Sequence, residues 1–259
     1  MTAGPISPEL RAILRRLKLG PLLDTLPERL TLARTGRLAH AEFLELVLAD
    51  EVARRDRTSA ARRAQVAGLD PAMTLARWDE TAAVSFDRGL WSELVSLRFL
   101  DAAADVVIMG PVGVGKTHLA AALGHIACRR RRSVLMGRTD RVLKRLRAAR
   151  LDASYDAELR RLIRVDLLIL DDFALSALDP TETADVYELV VERHRRASTI
   201  VTSNREPAEW LAAMADPLLA QSAIDRLQGA AYELVVEGES YRRRLKPGRS
   251  IGPAPAVAD

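Results

Sequence analysis

The chain has 259 residues, of which 48% are hydrophobic and 29% are charged, as expected for a globular protein with one large or two small domains. No apolar run approaches the roughly 20 residues of a membrane span, and the single cysteine, Cys128, excludes an internal disulfide framework. A formal net charge of +4 favours polyanionic partners, and we expect a cytoplasmic protein without a membrane partner.

Residues 1–69 are predicted to form a small, basic, all-helical domain. Apolar residues recur at helical spacing in the segments 10–17, 22–33 and 40–53. Gly20-Pro21 separates the first two helices. Basic residues outnumber acidic ones in this domain, and its apolar content is too small for high stability in isolation.

Residues 70–104 are predicted to be a linker followed by a lead-in helix over 91–100. Trp78 and Phe86 stand out here because aromatic residues make up only 4% of the chain. They either pin the linker to the next domain by packing or flank a bound base.

From residue 105 to residue 246, short apolar segments alternate with helical ones, which is typical of a parallel sheet with helices on both faces. The predicted strands are 106–109, 133–136, 166–170, 199–202 and 231–237, and the predicted helices are 117–130, 139–150, 181–196 and 216–228. The tail, 247–259, is rich in Pro, Ala and Gly and is expected to be disordered.

The segment Gly110-Pro-Val-Gly-Val-Gly-Lys-Thr117 fits the pattern G-x-x-x-x-G-K-[ST] and lies between a predicted strand and a predicted helix. In this context the pattern predicts a phosphate-binding loop, where backbone amides and a helix N-terminus face an anion. Lys116 is expected to reach the β and γ phosphates of ATP, and the Thr117 hydroxyl to bind Mg²⁺. The residues expected to bind the nucleotide are Gly110, Pro111, Val112, Gly113, Val114, Gly115, Lys116, Thr117 and His118.

The segment Asp166-Leu-Leu-Ile-Leu-Asp171-Asp172 is an apolar strand that ends in two carboxylates, the form of a Walker B motif. Adjacent acids at a strand end are costly unless a cation offsets their charge, and Mg²⁺ meets that requirement. We expect Asp171 to hold Mg²⁺ through water and Asp172 to polarise the attacking water. The alternative is that the two acids cap a following helix.

The next predicted strand, 199–202, also ends in polar residues. Asn204 is the candidate sensor of the γ phosphate, with Thr202 and Ser203 as alternatives. The competing interpretation is that Ser203 and Asn204 cap the following turn.

Two further arginine positions have open interpretations. Arg226, on an amphipathic helix, either reaches the nucleotide of a neighbouring subunit as an arginine finger or pairs with Asp225. Arg242 or Arg243 either approaches phosphate or contacts DNA, and the sequence does not distinguish these roles.

Together these motifs resemble those of the IstB-type transposition helper ATPases, relatives of the DnaC helicase loader in the AAA+ superfamily. The resemblance extends from about Leu17 to Pro247, and its most specific blocks are 198–205, 223–227 and 238–242. It implies a P-loop AAA+ ATPase core, with a parallel sheet flanked by helices, preceded by the small helical domain.

The resemblance also implies an activity and partners. Such a protein binds ATP with Mg²⁺, assembles on duplex DNA into rings or helices, and activates a partner transposase. By position, Lys116, Thr117 and Asp171 would hold nucleotide and metal. Asp172 and Asn204 would act on the water and the γ phosphate, and Arg226 would act in trans.

The predicted helix 139–150 is the candidate DNA contact, since in this superfamily the equivalent helix faces the central channel of the oligomer. The stretch 138–150 is strongly basic, and we expect its cations to lack acidic neighbours before Asp152, which argues against ion pairs. We expect Lys144, Arg145 and Arg147 to contact phosphates. Since no base-reading motif is present, binding should be independent of DNA sequence and strongly dependent on salt.

Two other functions fit parts of the sequence. A helicase loader would use the same ATP switch to deliver a replicative helicase, and a small-molecule kinase would share the P-loop but would not require Arg226. The basic helical unit at 1–69 suits DNA or a transposase better than a helicase.

Overall fold

The computed structural model describes residues 6–229 and 231–241, so the tail 247–259 and both Arg242 and Arg243 lie outside the described residues. The chain divides into two compact units, 1–61 and 62–259. The domain boundary expected near residue 69 falls inside the second unit, because Ala64, Ala67 and Leu69 are buried in that unit's core.

The first unit consists of helices. They are α1 (Pro8–Arg16), α2 (Leu22–Gly36) and α3 (His40–Val66), the last continuing past residue 61. Its buried core is small and centres on Leu22, Leu26 and Val47. Helix α3 extends well beyond the predicted end at residue 53. Arg54 and Arg55 pair with Glu51 one turn earlier and hold the pKa of that carboxyl at about 2.

The segment predicted as a linker packs as part of the second unit. It contains a 3-10 turn (Leu75–Arg77), β1 (Val84–Ser85), α4 (Arg88–Ser96) and α5 (Arg98–Asp101). The predicted single helix over 91–100 is interrupted at Leu97, whose φ of 63° is left-handed. Trp91, Leu94 and Phe99 are buried, so these short helices form part of the core.

A five-stranded parallel sheet forms the centre of the second unit, with strand order β3-β4-β5-β2-β6. The strands are β2 (Asp105–Met109), β3 (Val134–Arg138), β4 (Leu167–Asp171), β5 (Ser198–Ser203) and β6 (Ala231–Val235). A short β7 (Glu237–Gly238) pairs antiparallel with β1. The parallel α/β sheet predicted from the alternating pattern is therefore confirmed.

Helices cover both faces of this sheet. They are α6 (Lys116–Arg129), α7 (Thr139–Leu151), α8 (Tyr155–Arg164), α9 (Pro180–Arg193), α10 (Pro207–Ala213) and α11 (Pro217–Gln228). The sequence patterns did not predict α8 and α10, which are short. None of the helices in the described part of the chain combines the length and the apolar character needed to cross a bilayer.

Successive side chains of the central strands point into two different hydrophobic clusters. Val107 and Met109 pack with Leu168 and Leu170 on one face, whereas Val106 and Ile108 lie on the other. Burial on both faces explains why the strands appear in the sequence as continuous apolar runs rather than as alternating ones.

Two buried ionisable side chains, Arg193 and Asp105, lie beside the sheet. Arg193 is 1% exposed, and its guanidinium donates to the carbonyls of Leu162, Ile163 and Val165 at 2.9 Å each. Asp105, the first residue of β2, accepts the Thr199 N–H at 2.7 Å. Burial lowers the pKa of Arg193 to about 10 and raises that of Asp105 to about 7.

Candidate functional site

The loop 110–115 joins β2 to α6 at the carboxyl edge of the sheet. Gly110 has φ of 145°, and a Cβ there would lie 2.0 Å from the Val236 carbonyl oxygen. This position therefore requires glycine for both its conformation and its close packing. The loop ends at the N-terminus of α6, where unpaired backbone N–H groups and the helix dipole favour an anion.

Lys116 and Asn204, which are far apart in sequence, meet in front of this loop. The Lys116 ammonium is 6% exposed and donates to the Gly110 and Pro111 carbonyls at 2.7 Å each. It also donates to Oδ1 of Asn204 at 2.6 Å. These three neutral oxygens hold the ammonium at the loop, where a cation can attract phosphate.

Asp171 is the centre of a group of hydroxyls. Its Oδ1 accepts Oγ1–H from Thr117 at 2.9 Å and from Thr202 at 2.5 Å. Its backbone carbonyl accepts Oγ1–H from Thr139 at 2.9 Å. Hydroxyl and carboxylate oxygens are the ligands that Mg²⁺ prefers, and Mg²⁺ takes its other ligands from phosphates and water. The donor set at Thr117 and Asp171 therefore fits the ion predicted from the sequence.

Asp172 has a left-handed backbone with φ of 54° and lines the same cavity as the loop. Its N–H donates to Oγ1 of Thr202 at 3.1 Å, so Thr202 contacts both acids. Its carboxylate lies 3.7 Å from Nε of Arg138, a contact that the sequence patterns did not predict. The alternative role as a helix cap is wrong, because the next helix, α9, is capped by Asp179.

The polar residues at the end of β5 and directly after it differ in their roles. Ser203 donates to the Phe173 carbonyl at 3.0 Å and accepts Nε1–H from Trp210 at 3.1 Å, so it supports the core. Asn204 lines the cavity, as expected of a sensor position, while Thr202 bridges the two acids.

A cavity of about 370 Å³ lies against the loop, and we call it the P-loop cavity. One part of its lining comes from the loop and the strand ends, namely Val112, Gly113, Val114, Gly115, Lys116, Thr117, Asp172 and Asn204. Another part comes from Met73, Arg77, Trp78, Asp79 and Ala82, with His118, Leu175 and Tyr241 completing it.

Trp78 and Phe86, singled out in the sequence, have different positions. Trp78 lines the cavity, and its ring lies edge-on to Phe86 at 6.0 Å between centroids. Phe86 in turn packs edge-on against Trp91 at 5.8 Å. Trp78 therefore packs and also lines the P-loop cavity, whereas Phe86 packs, and the contact of Trp78 with a bound base stays a prediction.

Arg226 does not line the P-loop cavity of its own chain. Its guanidinium donates to the carbonyl of Ser222 at 2.8 Å and to the hydroxyl of the same residue, one turn earlier on α11. The arginine-finger interpretation therefore requires a neighbouring subunit.

The basic side chains of α7 have acidic partners, so the expectation that they lack them is wrong. Lys144 lies 3.7 Å from Asp140 and Arg145 lies 3.3 Å from Glu158. Arg147 pairs with Asp179 and with Glu182. These acids come from the first turn of α7, from α8, and from α9 and its N-cap, so inspection of 141–150 alone does not reveal them. All three cations remain at least half exposed, and their contact with DNA stays a prediction.

Comparison with known proteins gives consistent family matches. Residues 12–248 match the family model described as IstB-like ATP binding protein. The chain is 39% identical over 244 residues to a protein of Mycobacterium tuberculosis named as an ATP-binding protein in an insertion sequence, covering 94% of this chain and 97% of that one. It is 34% identical to a protein of Pseudomonas aeruginosa named as an ATP-binding protein of insertion sequence IS21, covering 94% and 91%.

Solved structures show the same fold at lower identity. A crystal structure of DnaI matches with a TM-score of 0.55 and 21% identity, covering 63% of this chain and 90% of that one. The replication initiator DnaA, bound to AMPPCP and single-stranded DNA, matches with a TM-score of 0.53 and 24% identity, covering 66% and 51%. These similarities show the fold alone, a parallel sheet flanked by helices.

Proposed function

The chain belongs to the family of IstB-like ATP-binding proteins, and on this premise we propose that it binds ATP with Mg²⁺ and hydrolyses it to ADP and phosphate. The observation that carries the proposal is that Lys116, Asn204 and Thr117 line the P-loop cavity, with Lys116 bonded to Asn204 and Thr117 bonded to Asp171. These groups supply one buried cation, one amide and two oxygen ligands, the set that phosphoryl transfer requires.

In this proposal each side chain has one task. The amides of the loop and the Lys116 ammonium bind the phosphates, and Thr117 with Asp171 holds the metal. Mg²⁺ held by Thr117 and Asp171 would offset the negative charge of the phosphates. Asp172 accepts a proton from the attacking water, and Asn204 orients that water against the γ phosphate.

Arg138 is a charged neighbour of Asp172, the proposed general base. Its Nε lies 3.7 Å from the Asp172 carboxylate and 3.4 Å from the Asp140 carboxylate. Because Arg226, the proposed arginine finger, does not line the cavity of its own chain, we expect hydrolysis by isolated subunits to be slow.

We further propose that the protein assembles with ATP on duplex DNA and assists the transposase of an insertion sequence. Support comes from the relatives, which are named after insertion sequences, and from the position of Arg226 outside its own cavity. In an assembly, Arg226 would act on the nucleotide of the adjacent subunit, and Lys144, Arg145 and Arg147 would contact DNA phosphates. The names of the relatives favour this function over helicase loading.

The nucleotide part of the proposal is tested with two matched acid variants. Asp172→Asn should retain ATP binding but lower the hydrolysis rate by about 100-fold or more, since it removes the proton acceptor. Asp140→Asn is the control, because Asp140 also contacts Arg138 but does not line the P-loop cavity. Its rate should stay near that of the wild type. Failure of the wild type to bind Mg²⁺ and ATP, or equal rates for the two variants, would contradict the proposal.

The DNA part is tested through salt dependence. Replacing Lys144, Arg145 and Arg147 by Gln should weaken duplex binding and reduce the slope of log affinity against log salt by about 0.9 for each phosphate that the variant no longer neutralises. Arg196→Gln is the control, since Arg196 is at least as exposed as these three residues but lies beyond the end of α9, paired with Glu192. A slope unchanged in the triple variant would refute these contacts.

A further inference from the structure

Two histidines of α6 hold the segment 70–82 against that helix. Nε2 of His118 lies 2.9 Å from the Thr74 carbonyl oxygen, and Nε2 of His125 lies 2.9 Å from the Asp70 carbonyl oxygen. Since a carbonyl oxygen only accepts hydrogen bonds, each Nε2 is the donor. The two histidines therefore make the same kind of hydrogen bond at the same distance. Of the two, His118 lines the P-loop cavity and His125 does not.

Residues 73–82 form the part of the cavity lining that we call the base-side segment. Its lining side chains are Met73, Arg77, Trp78, Asp79 and Ala82. Unlike the loop, which offers amides and an ammonium, this segment offers an aromatic ring and apolar groups beside one cation and one carboxylate. Such a mixture suits a planar heteroaromatic base rather than a phosphate.

The base-side segment contains little regular structure of its own. Apart from the 3-10 turn Leu75–Arg77, the described residues 70–83 form neither helix nor strand. Its placement therefore depends on side-chain contacts with α6 and with the loop. Trp78 packs so closely on the loop that a Cβ at Gly115 would lie 2.8 Å from its ring.

His118 contacts the base-side segment at two points. It donates to Thr74, and its ring lies edge-on to Trp78 with 5.3 Å between centroids and 76° between planes. It directly follows Lys116 and Thr117 in α6, so it joins the end of the cavity that binds phosphate to the base-side segment.

We propose that His118 is a positioning residue that sets selectivity for the base of the bound nucleotide by fixing the base-side segment. This inference rests on the proposed ATP binding. The Lys116 ammonium donates to Gly110, Pro111 and Asn204, and the Thr117 hydroxyl donates to Asp171, so each of these four hydrogen bonds goes to a group other than the imidazole. Removal of the His118 ring therefore leaves the phosphate contacts in place and releases the segment that faces the base.

The test compares ATP with inorganic tripolyphosphate, which carries the same chain of phosphates without a base, in the presence of Mg²⁺. For His118→Ala we expect ATP affinity to fall about 3- to 10-fold, the effect of removing one hydrogen bond, with tripolyphosphate affinity unchanged. The ratio of ATP affinity to GTP affinity should also be smaller in His118→Ala than in the wild type. In His118→Gln the amide nitrogen can take the place of Nε2 and donate to the Thr74 carbonyl. This variant should restore most of the wild-type ratio of ATP affinity to tripolyphosphate affinity.

His125→Ala is the matched control, and thermal melting of all variants reports on folding. This control should lower the melting temperature without changing the ratio of ATP to tripolyphosphate affinity. Equal weakening of both ligands in His118→Ala, or an equal change of the ratio in His125→Ala, would overturn this inference alone. Failure of the wild type to bind either ligand would overturn the proposed function and this inference with it.

Discussion

The buried side chain of Asp105 should make the stability of the fold depend on pH. It begins β2, the strand that leads into the phosphate-binding loop, and it is 6% exposed. Burial is the main cause that raises its pKa from 3.8 to about 7, against smaller opposing effects of the Thr199 N–H and the Arg193 charge. The folded protein therefore holds a proton that the unfolded chain releases near pH 4.

The sign and size of the effect follow from this difference. The stabilisation by protonated Asp105 is complete below about pH 4 and is lost as the pH rises through 7. A difference of about three pKa units corresponds to about 4 kcal/mol. Asp105→Asn keeps an oxygen acceptor for Thr199 and cannot ionise, so it should be more stable than the wild type at pH 8 by roughly 2–4 kcal/mol.

The assay is denaturant unfolding of both proteins from pH 4 to pH 8.5. The difference in the free energy of unfolding should grow by about 1.4 kcal/mol per pH unit between pH 4 and 7 and then stay constant. Asp166→Asn is a control of opposite sign: partial burial raises the pKa of Asp166, but hydrogen bonds from Ser133 bring it below its usual value. A pH-independent difference for Asp105→Asn would refute the reasoning.

Four further variants test the site and the core. Lys116→Ala should lower ATP affinity by about 100-fold in calorimetry, because it removes the ammonium that faces the phosphates; binding within threefold of wild type would contradict this. Thr202→Val, which removes the hydroxyl that bridges Asp171 to the next residue, should slow steady-state hydrolysis about tenfold with little change in ATP affinity. Arg226→Ala should bind ATP normally but reduce the hydrolysis rate of the assembled protein about 10³-fold, and an unaffected rate would exclude the trans role. Arg193→Met should reduce the free energy of unfolding by roughly 3–5 kcal/mol, since buried carbonyls lose their donor, and chemical denaturation measures this directly.

The sheet and the phosphate-binding loop were predictable because local patterns specify them. Buried parallel strands appear as short apolar runs, and the glycines of the loop meet a steric requirement that shows in the sequence, as at Gly110. The strand ends then bring Asp171 and Asn204 to one edge of the sheet, as the order of motifs implied. These features depend on residues within a few positions of one another and on the general topology of parallel sheets.

The parts that were missed depend on contacts between distant segments. The ion pairs of Lys144 and Arg147 involve acids near the helix start and on α9, which a local count of charges within 141–150 does not include. The contact of Arg138 with Asp172 depends on the pairing of β3 with β4, a register that the sequence does not reveal. Residues 70–104 resembled a linker because their helices are short, although Trp91 is buried in the core.

ATP held by one subunit is proposed to join that subunit to the next along duplex DNA, and the assembly mechanism depends on this step. Sedimentation velocity of the purified protein with Mg²⁺, duplex DNA and a slowly hydrolysed ATP analogue measures it directly. We expect large complexes that require both nucleotide and DNA and that do not form with Lys116→Ala. A wild-type protein that stays monomeric with all three components present would contradict the mechanism.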